Sequence, residues 1–358
     1  EQGRIARTGN PVTGEIKKDK DGNPVRIPGS LKCVKGIGWY IEEYGIAQIS
    51  INLTNISVTP IHVAFDEICK KANERGIRVT GSELVGLVPL KAMLDAGKYF
   101  LKKQKRSVGV SEEELIKIAV KSLGLDDLKP FDPRKKIIEY MIENKNSSPL
   151  VKMNLRAFAD ETASESPAPG GGSIAAYTGV LGISLATMVA NLSSHKSGWD
   201  EKWEEFSDWA AKGQKIKDEL LKMVDEDTHA FNKIMDAFAL PKSSDKEKKV
   251  RDQAIQNATK DAIEVPFKVM QLALNSMEVI KAMVETGNPN SVSDAGVGAL
   301  CARSAVMGAL LNVKINAAGL DDKTFAKEKL KKGGEIVEKT KKLEGEILGV
   351  VEEKIKSI

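Results

Sequence analysis

The hydrophobic pattern of this chain changes character near its middle. The opening thirty residues are turn formers and charges with no sustained period, and read as a mobile loop over 1–30. Alternation follows. Val34 to Ile41 and Ala47 to Leu53 read as two strands joined by a turn at Glu43-Tyr44-Gly45. Thr59-Pro60 is an N-cap followed by an N1 proline, and the helix it opens runs to about Gly76. Ile77 to Thr80 suits a short strand. Pro89 to Lys103 has a helical period, and Ser111-x-x-Glu114 is a capping box for a helix ending near Gly124. A short helix covers Pro133 to Ile142. Residues 1–143 are therefore expected to form an α+β domain, and the polar break at Asn144-Lys-Asn-Ser-Ser-Pro149 places a linker over 144–153.

Beyond the linker the period is helical throughout, so 154–358 reads as an all-α domain. The spacing predicts helices over Asn154–Ala163, Ser173–Ser193, Asp200–Phe238, Ser244–Glu285, Asp294–Ala317 and Lys323–Lys356. Small residues recur every four positions at Gly182, Ala186, Ala190 and at Cys301, Ala305, Ala309, which permits close helix contacts. Ser166 to His195 carries no Lys, Arg, Asp or Glu. It is built from small residues without a flanking aromatic belt, so it reads as a buried core helix and not a membrane span.

Composition narrows the classes. The 358 residues suit two domains, and 54 Lys plus Arg against 50 Asp plus Glu leave a formal charge of +4, too balanced to call for nucleic acid. Cys33, Cys69 and Cys301 are single and widely spaced, so neither a disulfide framework nor a structural zinc site is expected. A reducing, cytoplasmic setting fits, and the polar, basic opening does not read as a secretory leader. With His62, His195 and His229 as the whole histidine complement, a His-rich metal centre has little to draw on, and no metal is expected.

One charged residue breaks its pattern. Leu220, Val224, Phe231, Ile234 and Phe238 step by three and four along one helix, and Asp227 takes a place in that stripe. A carboxylate there is either a structural group capping a neighbouring helix or a desolvated acid/base with a raised pKa. Asp225 and Glu226 fall on other faces and read as surface charges. His229, about 200° around the helix from Asp227, faces away. His62 and His195 have no partner at a recognisable spacing.

Around it are candidate binding elements. Gly170, Gly171, Gly172 and Ser173 open an uncharged helix, where glycines let backbone approach a ligand and the helix N-terminus offers free N–H groups. The connection between two later helices holds Asn288, Asn290, Ser293 and Asp294, more short polar side chains than capping needs. Asn312 and Asn316 sit on an otherwise apolar helix and need partners if buried. In the first domain Gln48, Ser50 and Asn52 form an uncharged hydrogen-bonding row on one face of a strand, which suggests a ligand cleft.

At these residues the chain resembles the formiminotransferase-cyclodeaminases of histidine degradation. GIGWYIEEYGIAQISINLTN, GSELVGLVPLKAMLDAG and LGLDDLKPFDPRKKIIEYMI resemble the C-terminal transferase subdomain. SPAPGGGSIAA, VDEDTHAFNKIMDAFALP, TGNPNSVSDAGVGA and LNVKIN resemble the cyclodeaminase, in the same order. The resemblance implies a ferredoxin-like α+β subdomain followed by a helical cyclodeaminase. It implies a folate substrate, mono- or polyglutamylated, whose 5-formimidoyltetrahydrofolate form is closed to 5,10-methenyltetrahydrofolate with release of ammonia. It also implies a homodimer through the helical domain, open to higher homo-oligomers. The family's catalytic aspartate falls on Asp227. The N-terminal transferase subdomain is expected to be missing, with Gln48, Ser50 and Asn52 as the surviving half of the transferase cleft and the absent subdomain as a partner. No nucleic-acid or membrane partner is implied. Two rivals stay open: a methenyltetrahydrofolate cyclohydrolase, and a non-catalytic folate-binding scaffold.

Overall fold

The computed structural model describes residues 3–142 and 149–357, so 144–148 of the expected linker lie outside the described residues. The chain divides into two units, one of Glu1–Phe100 with Glu112–Ile142, the other of Leu101–Ser111 with Glu143–Ile358.

The first unit begins with structure where a mobile loop was expected. β1 (Arg4–Ile5) pairs antiparallel with β2 (Arg26–Ile27), and bridges Arg7↔Ile16 and Lys18↔Pro24 extend the ladder. The turn formers close these connections. Asn10 Oδ1 accepts from the N–H groups of Val12 and Thr13, and Asp19 Oδ1 from those of Asp21 and Asn23.

β3 (Val34–Ile41) and β4 (Ile46–Leu53) form the expected hairpin, with Gly45 supplying the left-handed turn residue at φ 63°. Helices α1 (Ile61–Asn73), α2 (Leu90–Lys103), α3 (Glu112–Leu123), α4 (Pro133–Lys136) and α5 (Ile138–Ile142) follow. Met93, Ala96, Phe100, Ile116, Ala119 and Ile137 make the core here.

The described residues do not form the single sheet of a ferredoxin-like subdomain. Ile77–Thr80, the remaining strand candidate, has no ladder partner, and β3 and β4 pair only with each other. The expected last helix is split because Ile137 turns extended to bridge Val88, leaving α4 and α5 on either side.

The second unit is helical: α6 (Leu155–Thr162), α7 (Gly171–Ser194), α8 (Trp203–Ala239), α9 (Asp245–Thr286), α10 (Val292–Ala318) and α11 (Lys323–Lys356). Pro241 follows the end of α8, and α9 opens on a capping box in which Ser244 Oγ accepts from Glu247 N–H while the Glu247 carboxylate accepts from Ser244 N–H. Pro266 lies inside α9, which continues through it.

Two of these helices, Gly171–Ser194 and Pro289–Ala318, are long and apolar enough to cross a membrane, yet they are partners in the bundle core. The small-residue rows are used here. A Cβ on Gly182 would lie 2.8 Å from the Gly298 carbonyl and 3.0 Å from Cys301 Cβ, so these rows make the expected close helix contact, seating α7 on α10 within one chain. The contacts run in opposite directions. Gly171 faces Asn312, Ala175 faces Gly308 and Ser193 faces Asn288, so α7 and α10 are antiparallel.

Leu101–Ser111 completes this unit. The Gly109 carbonyl accepts from Asn191 Nδ2 at 2.8 Å and Gln214 Nε2 at 3.2 Å, and Val108 N–H donates to Ser207 Oγ at 3.0 Å. A side chain at 109 would run into Ala210, its Cβ 2.2 Å from that of the alanine.

Candidate active site

Along α8 the apolar stripe is buried at Leu220 and Val224 and comes out into solvent beyond Asp227. Phe231 is 37% exposed, Met235 51% and Phe238 49%. Asp227 itself is half-buried. Its carboxylate therefore stands where the bundle core gives way to an open apolar strip.

The first turn of α7 holds it there. Ser173 is the third residue of that helix, and its otherwise unpaired N–H donates to Asp227 Oδ2 at 2.9 Å. The Ser173 hydroxyl has one proton, and the carbonyl of Val224 takes it at 2.7 Å. Its contact with Asp227 Oδ2, at 3.3 Å, is the weaker one. Gly172 makes the approach feasible, since a Cβ there would lie 2.0 Å from Asp227 Oδ1. On the far side of the turn, a Cβ on Gly171 would stand 3.4 Å from the Asn312 amide, which donates to the Gly308 carbonyl. Asp227, Gly171, Gly172, Ser173 and Asn312 are thus brought together, with Gly170 as the N-cap of α7.

Burial pushes the Asp227 carboxyl above the ordinary aspartate range, and the Ser173 N–H and hydroxyl pull the other way. A carboxyl whose pKa is raised holds a proton more readily than a solvated one.

The second loop lies elsewhere. Asn288 N–H donates to Ser193 Oγ at 2.8 Å, at the end of α7, and Asn288 Oδ1 accepts from Asn290 N–H. At about 1.5 Å per residue, Ser193 stands ~30 Å from Ser173 along the helix. Asn288, Asn290, Ser293 and Asp294 therefore do not flank Asp227 within one chain. The cause is the antiparallel pairing: the start of α10 meets the end of α7. Asn316 has a structural partner, the Ala262 carbonyl. Gln48, Ser50 and Asn52 lie on β4 in the first unit, opposite Trp39, Ile37 and Lys35 of β3.

Asp225 is corrected. It is 3% exposed, and its carboxylate accepts from Leu150 N–H at 2.9 Å and Val151 N–H at 3.4 Å. The sequence carries a signal for this: Asp225 follows Leu221 by one helical turn, and Leu221 packs against the core. His229 lines a 410 Å³ groove with Lys222, Glu226, Glu264 and Lys268, away from Ser173. His195 ends α7; burial lowers its pKa, and Arg106 adds to that. His62 stacks on Tyr99 in the first unit, and the Tyr99 hydroxyl, bonded to Asp66, is pushed up to about 12.

Residues 154–334 match the family described as Formiminotransferase-cyclodeaminase, and residues 2–143 match the Formiminotransferase domain. The transferase match takes in the opening residues read as a junction, so the expectation that an N-terminal transferase subdomain is missing is not borne out. The chain is 40% identical over 328 residues to formimidoyltransferase-cyclodeaminase of Gallus gallus, and 36% identical over 326 residues to that of Rattus norvegicus. Each alignment covers 91% of this chain and 60% of the relative, so the chain spans about three-fifths of their length. Methenyltetrahydrofolate cyclohydrolase of Methylorubrum extorquens is 38% identical over 177 residues, 49% of this chain and 85% of that protein. By these matches the chain belongs to the formiminotransferase-cyclodeaminase family.

Proposed function

We propose that the helical unit closes 5-formimidoyltetrahydrofolate to 5,10-methenyltetrahydrofolate and releases ammonia, with Asp227 as the acid/base. The observation that carries this reading is the half-buried carboxyl held by the first turn of α7 at the border of an exposed apolar strip. N10 attacks the formimidoyl carbon and forms the second C–N bond of the five-membered ring. Asp227 takes the proton from N10 and passes it to the exocyclic nitrogen, which leaves as ammonia while the remaining C–N bonds share the positive charge of the methenyl product. The substrate enters with its exocyclic nitrogen protonated as an amidinium, which brings both the third hydrogen of ammonia and the charge of the product. No further proton is gained or lost, so one carboxyl serves both steps.

The Gly170–Ser173 turn and Asn312 serve as substrate-binding elements beside it, and the folate's apolar rings suit the strip of Phe231 and Phe238. The first unit carries the formiminotransferase function, with the Gln48, Ser50 and Asn52 row as its substrate face. The chain works in the cytoplasm.

A second copy of the chain completes the site in this reading. α7 and α10 leave Leu181, Leu192, Val297, Leu300, Leu311 and Ile315 exposed along one side of the bundle. Pairing that face with itself head to tail brings the end of one α7 against the start of the other. The Asn288–Asp294 loop of the second copy then approaches Asp227, which reconciles its polar side chains with a binding role.

The cyclohydrolase relative favours one alternative, addition of water to methenyltetrahydrofolate. Ammonia release from the formimidoyl substrate, measured beside hydration of the methenyl compound, separates the two. Asp227→Asn keeps shape and the Ser173 contact but cannot cycle a proton, so ammonia release is expected to fall by about 10²–10⁴-fold with folate binding retained. Normal turnover by this variant removes Asp227 from the chemistry.

A further inference from the structure

Two carboxylates on one turn of α8 hold the two ends of a single excursion of the chain. Asp225 accepts from the N–H groups of Leu150 and Val151, where the excursion leaves α8; Asp227 accepts from Ser173 N–H, where it returns. Between them lie α6 and the loop to Gly170. No residue of α6 is fully buried, and Leu155 in its first turn is 76% exposed. Its ring contact is Phe158 on Tyr177, with centroids 5.4 Å apart, one helical turn along α7 from Ser173. A segment with firm ends, little buried area between them and a place beside the reactive carboxyl has the construction of a hinged cover.

We propose that Asp225 is a positioning residue for the Asp227 site, fixing the front hinge of a cover formed by residues 150–173 that closes over the bound folate. The proposal rests on Asp227 being the acid/base. Asp225 does not reach the reacting atoms; it acts through the segment whose far end sets Gly172 and Ser173 against Asp227. The residue type matters. A carboxylate has acceptors only and satisfies both N–H groups at once, whereas an amide in the same volume turns its own NH₂ towards one of them. Closure gives Leu155 an aromatic ring to cover.

Hydrogen exchange and kinetics on the full chain test this together. In the wild type, tetrahydrofolate is expected to slow exchange of amides 152–168. In Asp225→Asn, exchange over 150–163 rises and KM for the formimidoyl substrate increases, each by about tenfold, the scale of one lost buried hydrogen bond. The pH at which turnover titrates stays where Asp227 sets it. Unchanged exchange over 152–168 on folate binding overturns the cover, and this arm needs no variant to fold. A fall in kcat with faster exchange spread evenly through α7, α8 and α10 overturns the positioning role, because a merely structural aspartate behaves so. Turnover by Asp227→Asn is scored separately, so failure of the acid/base assignment shows itself there and not in the exchange pattern.

Discussion

At the scale of single residues the environment of Asp227 has a consequence for stability that is separate from catalysis. Burial favours its protonated form, so the folded chain holds that proton to a higher pH than the unfolded chain, whose aspartate has an ordinary value of 3.8. The stability this contributes is complete below 3.8 and is lost as pH rises through the folded-state pKa. Asp227→Asn, always neutral, loses nothing in that window. Its melting temperature relative to the wild type is therefore expected to climb from pH 4 towards neutrality. A difference that stays constant across a pH series of thermal melts contradicts the raised pKa. The stripe pattern made Asp227 legible from sequence, because one acid in a run of apolar positions stands out. Asp225 was not legible in the same way. Its place one helical turn from Leu221 marks it for burial, but which backbone donors reach it depends on where residues 150 and 151 return, and periodicity does not carry that.

At the scale of elements, the helices of the second unit were legible almost to the residue. Caps, uncharged faces and the proline after α8 all act locally, and the structure places α7 through α11 where the periods put them. The hairpin β3–β4 was legible for the same reason. Elements that depend on distant partners were not: Ile77–Thr80 has strand composition but no ladder partner among the described residues, and the opening thirty residues hide a ladder behind turn residues. The small-residue rows show the limit most plainly, since spacing reveals that a helix can be approached closely but not by what. Here the answer is α10 of the same chain. Gly182→Val, which places carbon 2.8 Å from the Gly298 carbonyl before its methyls are counted, is expected to lower stability by about 1–3 kcal/mol, read as a shift in urea midpoint. A silent Gly182→Val means that α7 and α10 are not in contact.

At the scale of the whole molecule, α7 and α10 present an exposed apolar side of the bundle. Leu192 on α7 and Leu300 on α10 are both nearly half exposed. Replacing each with glutamate is expected to leave the helical content and melting temperature near wild type. If a second copy covers this side, the double variant runs as a monomer in light scattering and loses ammonia release, because the Asn288–Asp294 loop no longer reaches Asp227. Full activity in a monomeric double variant refutes the shared site.

The Leu101–Ser111 segment carries a consequence for how the protein is made. Val108 and Gly109 leave the ribosome ahead of the groups that receive them, Asn191, Ser207 and Gln214, which lie 82 to 105 residues further on. At synthesis rates of about 5–20 residues per second, that interval lasts roughly 5–20 s. Throughout it, Ser107, Val108 and Gly109, all buried in the finished fold, have no α7 or α8 to enter. Translation speed through codons 110–215 thus sets how long this patch stays available to chaperones, to proteases and to other nascent chains.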